Sequence, residues 1–494
     1  VTVLGALRDR LGLSPTWPPV GHVKTWEEIE FYSALRTSNE EAIKLQANIP
    51  WWRRYLISPV PRLVSRCSAN LLYGEPAEYR AAKDSDQDAL ERIVTENLLD
   101  AEAHRMAVIA SSEGEAWGRI IVDPTLLDVP IIEFVSRRQV IPHFQGRFVV
   151  AATFISEWEE STNTVFRLLE TYEAGAVHAR LYQGTRNSIG NEISLDSYGR
   201  TAGKQPTVLT GIDRPLCAFI PNSIDADPTR GYADYRGLEE RFLALNESST
   251  IVEENARLAG KKRALLDAKY LRNGRLPAGD DIFIRSEAEG TLGDAGKPLQ
   301  MLEYNFEAEQ LTKWLDHLID TTLLLGGTAP AAVGRSIDGG AISGTALKLK
   351  MAHSLIEAAG KGRYADAGLK RLLRYAALID SRSIFDGGFG RRREWTAPDE
   401  DPTVIRGDGL PQDDMEAAQW VALASGSEAI STEEKVRYLH PDWTDKQIED
   451  EVERIEGEKP EAPPIGTAPA PPDLNLPPGG PEPPTPAPAG GAGE

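Results

Sequence analysis

The chain has 494 residues, of which 41 % are hydrophobic and 26 % charged. That is length for about three domains with an ample core, in an ordinary soluble composition. Lys and Arg number 54 against 75 Asp and Glu, a formal charge of −21, which excludes general adhesion of the single chain to nucleic acid or anionic lipid. The two cysteines, Cys67 and Cys217, exclude a disulfide framework and a Cys-rich metal cage, and they suit a reducing compartment.

The first thirty residues hold Arg8, Asp9, Arg10, Pro15, Pro18 and Pro19. They lack the apolar run of a secretory signal, so none is expected. Glu27 to Ile43 sets acids and apolar residues at helical spacing. Trp51-Trp52-Arg53-Arg54-Tyr55 is a compact aromatic–basic cluster. Pro61 to Leu72 predicts a helix with proline in its first turn and Gly74 just past its end. Asp88 to Ile109 predicts a second. Strands follow at Trp117–Val122, Ile131–Val135, Arg147–Trp158, Thr164–Glu173 and Ala176–Tyr182. The last three read as an antiparallel meander, with turns at Ser161-Thr162-Asn163 and Ala174-Gly175. The expected class is α+β with a small sheet.

From Asp234 to Leu271 there is no proline, and Leu238, Phe242, Leu245, Val252, Ala256, Ala259, Leu266 and Tyr270 form one narrow apolar stripe. A single helix over that span would be ~57 Å long. A break from Asn273 to Asn305 contains a short strand candidate, Asp281–Arg285. The next helix, Phe306 to Leu325, places Leu311, Trp314, Leu315, Leu318, Thr322 and Leu325 on one face. A glycine-rich loop, Gly326 to Gly344, leads into a long helix from Thr345 towards Ile379. The stretch Thr321–Gly334 is uncharged and apolar but too short to span a bilayer, and Gly326, Gly327 and Pro330 interrupt it. From Glu394 to Glu458 there are 19 acids against 5 bases, so most of the excess charge sits in one block. Residues 460–494 hold 13 of the 34 prolines and read as a disordered tail.

Catalytic spacings are absent: no G-x-x-x-x-G-K-[ST], H-E-x-x-H, C-x-x-C or G-x-S-x-G. The histidines, among them His104, His143 and His317, are scattered rather than paired at ligand spacing. Neither an enzyme nor a cofactor is expected. Arg391-Arg392-Arg393 reads as a solvated or salt-bridged turn.

The order of these parts resembles the portal (head–tail connector) proteins of tailed bacteriophages, in their long-tailed branch. The resemblance is carried by Pro61–Pro76 (PRLVSRCSANLLYGEP), by Trp117–Asp123 followed by Pro130–Val135 and Val140-Ile141-Pro142, and by Pro221-Asn222 with Gly231-Tyr232-Ala233-Asp234-Tyr235. Ser343-Gly344-Thr345-Ala346-Leu347-Lys348 completes it. It implies an α/β wing over 1–232 and 346–400, and stem helices over 233–271 and 306–327. A small α/β clip would occupy 272–305, a tunnel loop 328–345, a helical crown 401–458 and a disordered tail 459–494. The segment Leu181–Thr210 fits this scheme poorly. In the family, copies form a ring, usually of twelve, at one capsid vertex of the virion, assembled in the bacterial cytoplasm. Double-stranded DNA passes through it during packaging and ejection. The terminase large subunit, and afterwards a head-completion (adaptor) protein, dock on the clip. Major capsid and scaffolding proteins are further partners; no membrane is involved.

The resemblance places Gly334, Arg335, Ser336, Asp338, Gly339, Gly340, Lys348 and Lys350 facing DNA. It places Arg275, Asp280, Asp281, Phe283 and Arg285 at the docking surface. Leu238, Phe242, Leu245, Val252, Leu311, Trp314 and Leu318 would pack the stem. A lining rich in Lys and Arg would bind phosphates tightly and stall DNA, whereas an acidic one repels it. For the further bases Lys361, Arg363, Lys370, Arg371 and Arg374, pairing with a neighbouring subunit's acids is expected over contact with DNA, whereas Lys348 and Lys350 suit either partner. Two other classes fit less well: a virion adaptor or scaffold without a DNA channel, and an enzyme using carboxylates such as Asp280 and Asp281.

Overall fold

The computed structural model describes residues 17–259, 263–267, 282–286, 299–302, 308–335, 344–382, 394–407, 421–423, 430–440, 443 and 445–458. The chain divides into two units, Val1–Pro411 and Gln412–Glu494. The architecture is mixed helix and sheet, as the α+β expectation holds.

Helices α1 (Val23–Thr37) and α2 (Glu40–Gln46) replace the single helix suggested by Glu27–Ile43. Ser38 adopts a left-handed backbone, and the Asn39 side chain caps α2 by accepting from Ala42 N. Helix α3 (Val60–Tyr73) begins with proline and stops at Gly74 as predicted. A side chain at Gly74 would meet Asn70 O at 2.3 Å. Strand β1 (Glu78–Arg80) follows.

The predicted helix Asp88–Ile109 is two helices, α4 (Gln87–Glu96) and α5 (Leu99–Glu113). The buried Asn97 amide causes the break. It donates to Ile93 O and Pro130 O, and its oxygen accepts from Ile132 N. That fixes the lead-in to the first sheet and leaves Leu98 in a left-handed conformation.

One sheet has the order β10 (Cys217–Pro221), β2 (Glu115–Ile121), β3 (Ile131–Ser136), all antiparallel. The meander is β4 (Val140–Gln145), β5 (Phe148–Ser161), β6 (Thr164–Glu173), β7 (Ala176–Thr185) and β8 (Ser188–Ile193) in sequence order, with β9 (Thr207–Leu209) also pairing with β7. The turns fall at Thr162-Asn163 and Ala174-Gly175. The segment Leu181–Thr210, which fitted the scheme poorly, thus extends the meander.

Helix α6 covers Glu239–Ala259, not the whole of 234–271. Gly237, at φ +80°, prevents a helix before it, and Arg263–Asp267 is strand β11. This strand pairs parallel with β12 (Ile282–Ser286) and antiparallel with β13 (Leu299–Leu302). Pairing on both edges overrides the helical pattern that placed Leu266 on the stripe. Helix α7 (Ala308–Leu325) packs on α6, and α8 (Gly344–Asp380) runs for 37 residues. The C-terminal half of α8 lies on the β10–β2–β3 sheet. A side chain at Gly118 would strike Leu372 Cδ1 at 2.3 Å, and one at Gly368 would strike Ile220 Cγ1 at 2.4 Å. Close approach there seats Trp117, Leu369, Leu372, Leu373 and Ile379 in the main core. A second core joins α1, α3, α6 and α7 through Tyr32, Val64, Phe242, Leu245 and Leu318.

Strand β14 (Thr403–Ile405) pairs antiparallel with β1. Residues 401–407 therefore belong with the mixed unit rather than with a crown. In the second unit, α9 (Thr432–Leu439) is capped by Ser431, whose hydroxyl accepts from Glu434 N. It packs on α10 (Asp445–Glu458), with Val436 and Ile448 buried. The tail 459–494 lies outside the described residues.

Candidate functional site

The segment Gly231–Tyr235, which leads into α6, is built onto the turn between α5 and β2. The two backbones touch at paired glycines. Gly114 has φ +96°, and a side chain there would meet Gly231 O at 2.8 Å. One at Gly231 would meet Gly114 O at 2.2 Å. Three carboxylates seal this joint. Asp234 N donates to Ser111 O, while its carboxylate accepts from Ser111 Oγ at 2.6 Å, Asn222 Nδ2 at 2.8 Å and Lys361 Nζ at 2.6 Å. Glu115 accepts from Arg137 Nε at 2.8 Å, Trp117 Nε1 at 2.9 Å and Gly231 N at 2.8 Å. Glu113 accepts from Ser136 Oγ, with Arg36 at 3.6 Å. Burial outweighs these partners for Glu113 and Glu115 and pushes both carboxyls above their ordinary range. Tyr235 completes the joint. Its hydroxyl donates to Pro61 O at 2.6 Å, and its ring meets Tyr32 and Phe242 edge-on.

Lys361, expected to pair with a neighbouring subunit, is thus buried against its own chain's Asp234 and Ser68. Arg374 likewise pairs within the chain, with Asp401 at 2.8 Å. The physical reason is position. Both lie on the half of α8 that packs against this chain's own elements, so their partners are local.

The glycine-rich loop opens with Gly327 in a left-handed conformation and a short turn of helix at Pro330–Val333. Ala329 N donates to Ser354 Oγ at 2.6 Å, tying the loop to α8. Arg335 was expected to face DNA. Its guanidinium reaches back to α7, with Nε 2.6 Å from Asp320 Oδ1 and Nη2 2.9 Å from Asp316 Oδ1. Two acids one helical turn apart form a ready clamp for it. Gly334 precedes it with φ +75°. Ser336, Asp338, Gly339 and Gly340 lie outside the described residues. Lys348 and Lys350 are exposed on the first turns of α8.

Of the docking residues, Arg275, Asp280 and Asp281 lie outside the described residues. Phe283 and Arg285 stand on β12, in register with Ala264 and Leu266. Of the stem residues, Leu238, Phe242, Leu245 and Leu318 are buried, and Val252 and Leu311 half-buried. Trp314 is 54 % exposed, and its ring stands 6.1 Å from that of His317 on the same helix, so it is only partly covered within this chain. The reason is angular: α6 covers the Leu315–Leu318–Thr322 side of α7, and Trp314 falls outside it. The joint carries no motif of its own in the sequence: Gly231 and Asp234 stand in the Gly231–Tyr235 string, but their partner Gly114 lies outside every string quoted above.

Among the described residues, no group of three His, Cys, Asp or Glu could hold a metal ion, and no helix is long and apolar enough to cross a membrane. What the arrangement offers chemically is fixed geometry between a mixed domain, a helical pair and α8.

No family model matches the chain, and no curated protein matches it. Among solved structures, it is similar to a chain in the neck of a native GTA particle computed with C12 symmetry. The identity is 12 % and the TM-score 0.40, over 77 % of this chain and 89 % of the other.

Proposed function

We propose that this chain is a portal protein of a tailed phage or phage-like particle. It acts as a ring at one capsid vertex, through which double-stranded DNA is packaged and ejected. The observation that carries the reading is the order of parts. A mixed α/β domain leads through a fastened joint into α6. A small three-stranded sheet is inserted between α6 and α7, and a glycine-containing loop then leads into a long helix tied back to the joint. This is the order that the sequence resemblance implies.

A second feature supports assembly. The apolar stripe of α6 is buried only in its first half; Val252 is half-buried and Ala256 exposed. Trp314, Leu324, Leu325, Leu349 and Ile356 stand in water on α7 and α8. A single copy leaves these surfaces wet, and repetition about an axis offers them partners. On this reading Lys348 and Lys350 touch passing DNA weakly against an acidic background. The terminase large subunit, then a head-completion protein, docks on residues 272–305. The chain itself hydrolyses nothing.

Size-exclusion chromatography with light scattering tests the assembly. The reading expects a discrete oligomer of many copies at micromolar concentration, and a lone monomer that stays monomeric on concentration would defeat it.

A further inference from the structure

Residues 394–407 return along α8 and are fastened to it chiefly through carboxylates. Trp395 Nε1 donates to Asp380 Oδ2 at 3.0 Å, and Asp401 Oδ1 lies 2.8 Å from Arg374 Nη1. Arg406 grips Asp366 with two nitrogens, Nε 2.8 Å from Oδ1 and Nη2 3.2 Å from Oδ2. The Tyr73 hydroxyl also donates to Asp366 Oδ1, at 3.2 Å. The direction is antiparallel: as the segment advances from 395 to 406, its partners step back from 380 to 366, about 21 Å of helix. The Arg406 guanidinium crosses α8 at Gly362, where a side chain would collide with it.

The opposite edge of the segment is held by the turn before α4. Asp86 Oδ1 accepts from Thr396 N at 2.8 Å and Oδ2 from Ala397 N at 2.9 Å, and the Ser85 and Thr396 hydroxyls are 2.9 Å apart. Burial opposes the charge on Asp86, yet the two amides hold its carboxyl below its ordinary range. Further on, β14 pairs with β1 over three residues. A two-stranded ladder of that length is marginal by itself.

Apolar burial adds little. Of the fourteen residues only Pro402 and Val404 are buried, and Trp395 lies half-buried against the main core. The floor of the cleft beneath is core: Leu90 is 2 % exposed and Leu373 fully buried. The contacts of the segment are thus polar and peripheral, whereas those of α8 with the β10–β2–β3 sheet are apolar and central. Segments held in the first way open at lower free energy than the core.

We propose that residues 394–407 are a release strap, which detaches from α8, β1 and the Asp86 turn as one unit while α8 stays on its sheet. Release parts Arg406 from Asp366 and opens the cleft over Leu90 and Leu373. The chain continues from the Arg406 end. A pull from beyond Gly407 therefore loads Arg406–Asp366 first, then Asp401–Arg374, and the Asp86 and Asp380 contacts last. The device is complete within one chain and stands whether or not copies assemble.

Hydrogen exchange of the full chain, read at residue level by mass spectrometry, tests it. In the wild type, the bonded amides of Thr396 and Ala397 are expected to exchange at least about tenfold faster than those of α8 over 368–379. Asp86→Asn keeps the side-chain shape but turns an amide towards one of the two N–H groups. It is expected to speed Thr396 and Ala397 about tenfold or more. Residues 403–405, which Asp86 does not touch, should accelerate by the same factor, with 368–379 unchanged. Ser85→Cys with Thr396→Cys, once oxidised, should slow the whole segment about tenfold or more, and reduction should restore it. Acceleration confined to Thr396 and Ala397 would show that the segment does not open as one unit. Wild-type strap amides as slow as those of α8, or acceleration of α8 alongside them, would show that it opens only with the core. Either result, or a disulfide-locked strap that exchanges at the wild-type rate, overturns the proposal.

Discussion

Lys361 and Asp234 are 127 residues apart in sequence, yet Nζ lies 2.6 Å from Oδ2 and both side chains are buried. The pair ties the lead-in of α6 to the middle of α8, and Ser111, Asn222 and Ser68 satisfy the remaining polar atoms. A buried pair of this kind contributes little net stability over an apolar substitute but is costly to break on one side. Lys361→Met should therefore destabilise the first unit by roughly 3–5 kcal/mol. Lys361→Met combined with Asp234→Asn should recover part of the loss. Urea unfolding of the four members of this cycle measures it, and additive losses would show that the two groups do not interact.

The paired glycines of the joint predict a backbone effect. Gly114→Ala puts a side chain at φ +96° and 2.8 Å from Gly231 O. The expected cost is roughly 1–3 kcal/mol, since strain and clash add. A melting temperature equal to that of the wild type would contradict the packing described.

His22 gives a pH signature. Burial first, then the nearby Arg137, lowers its pKa from 6.5 to about 4. Arg137 Nη2 stands 3.3 Å from Nδ1, so neutral imidazole suits the site. The unfolded chain binds the proton more tightly, so this contribution is present above pH 6.5 and is lost as the pH falls from 6.5 towards 4. Allowing for solvent screening, the loss between pH 7 and 5 should be on the order of 1 kcal/mol. His22→Gln should remove that part of the pH dependence, and identical stability–pH curves for the two proteins would refute it. Glu113 and Glu115 act with the opposite sign: their raised pKa values cost stability as the pH rises above the ordinary carboxylate range.

Both cysteines are buried, and burial pushes Cys67 up and Cys217 up to about 12. Neither holds thiolate at neutral pH. Ellman's reagent should leave the native protein unmodified and titrate two thiols after denaturation. Rapid native labelling would place a cysteine at the surface.

In assembled particles, Lys348→Ala with Lys350→Ala should leave ring formation intact and change the length or retention of packaged DNA. Unaltered packaging would remove these lysines from the DNA path.

Much of the fold was legible because short-range signals control it. Proline in the first turn and Gly74 beyond the end bounded α3, and alternation with turn residues placed β6 to the residue, while β5 and β7 each run three residues past their expected ends. The failures share a cause: a distant partner decides the local structure. Asn97 breaks a continuous helical pattern because its amide is wanted by Pro130 and Ile132. Residues 263–267 carry a helical stripe but pair with two strands. At the site, the chemistry of single residues was visible and their pairing was not. Arg335 looks free in sequence because Asp316 and Asp320 belong to the preceding helix. Lys361 looks like a surface base because Asp234 lies more than a hundred positions upstream.

Averaged electron micrographs of the purified full-length protein viewed along its symmetry axis bear most directly on the central claim. The account predicts a closed ring of identical copies around an open bore that admits a B-form duplex. Particles with no central opening, or with one too narrow for a duplex, would contradict it.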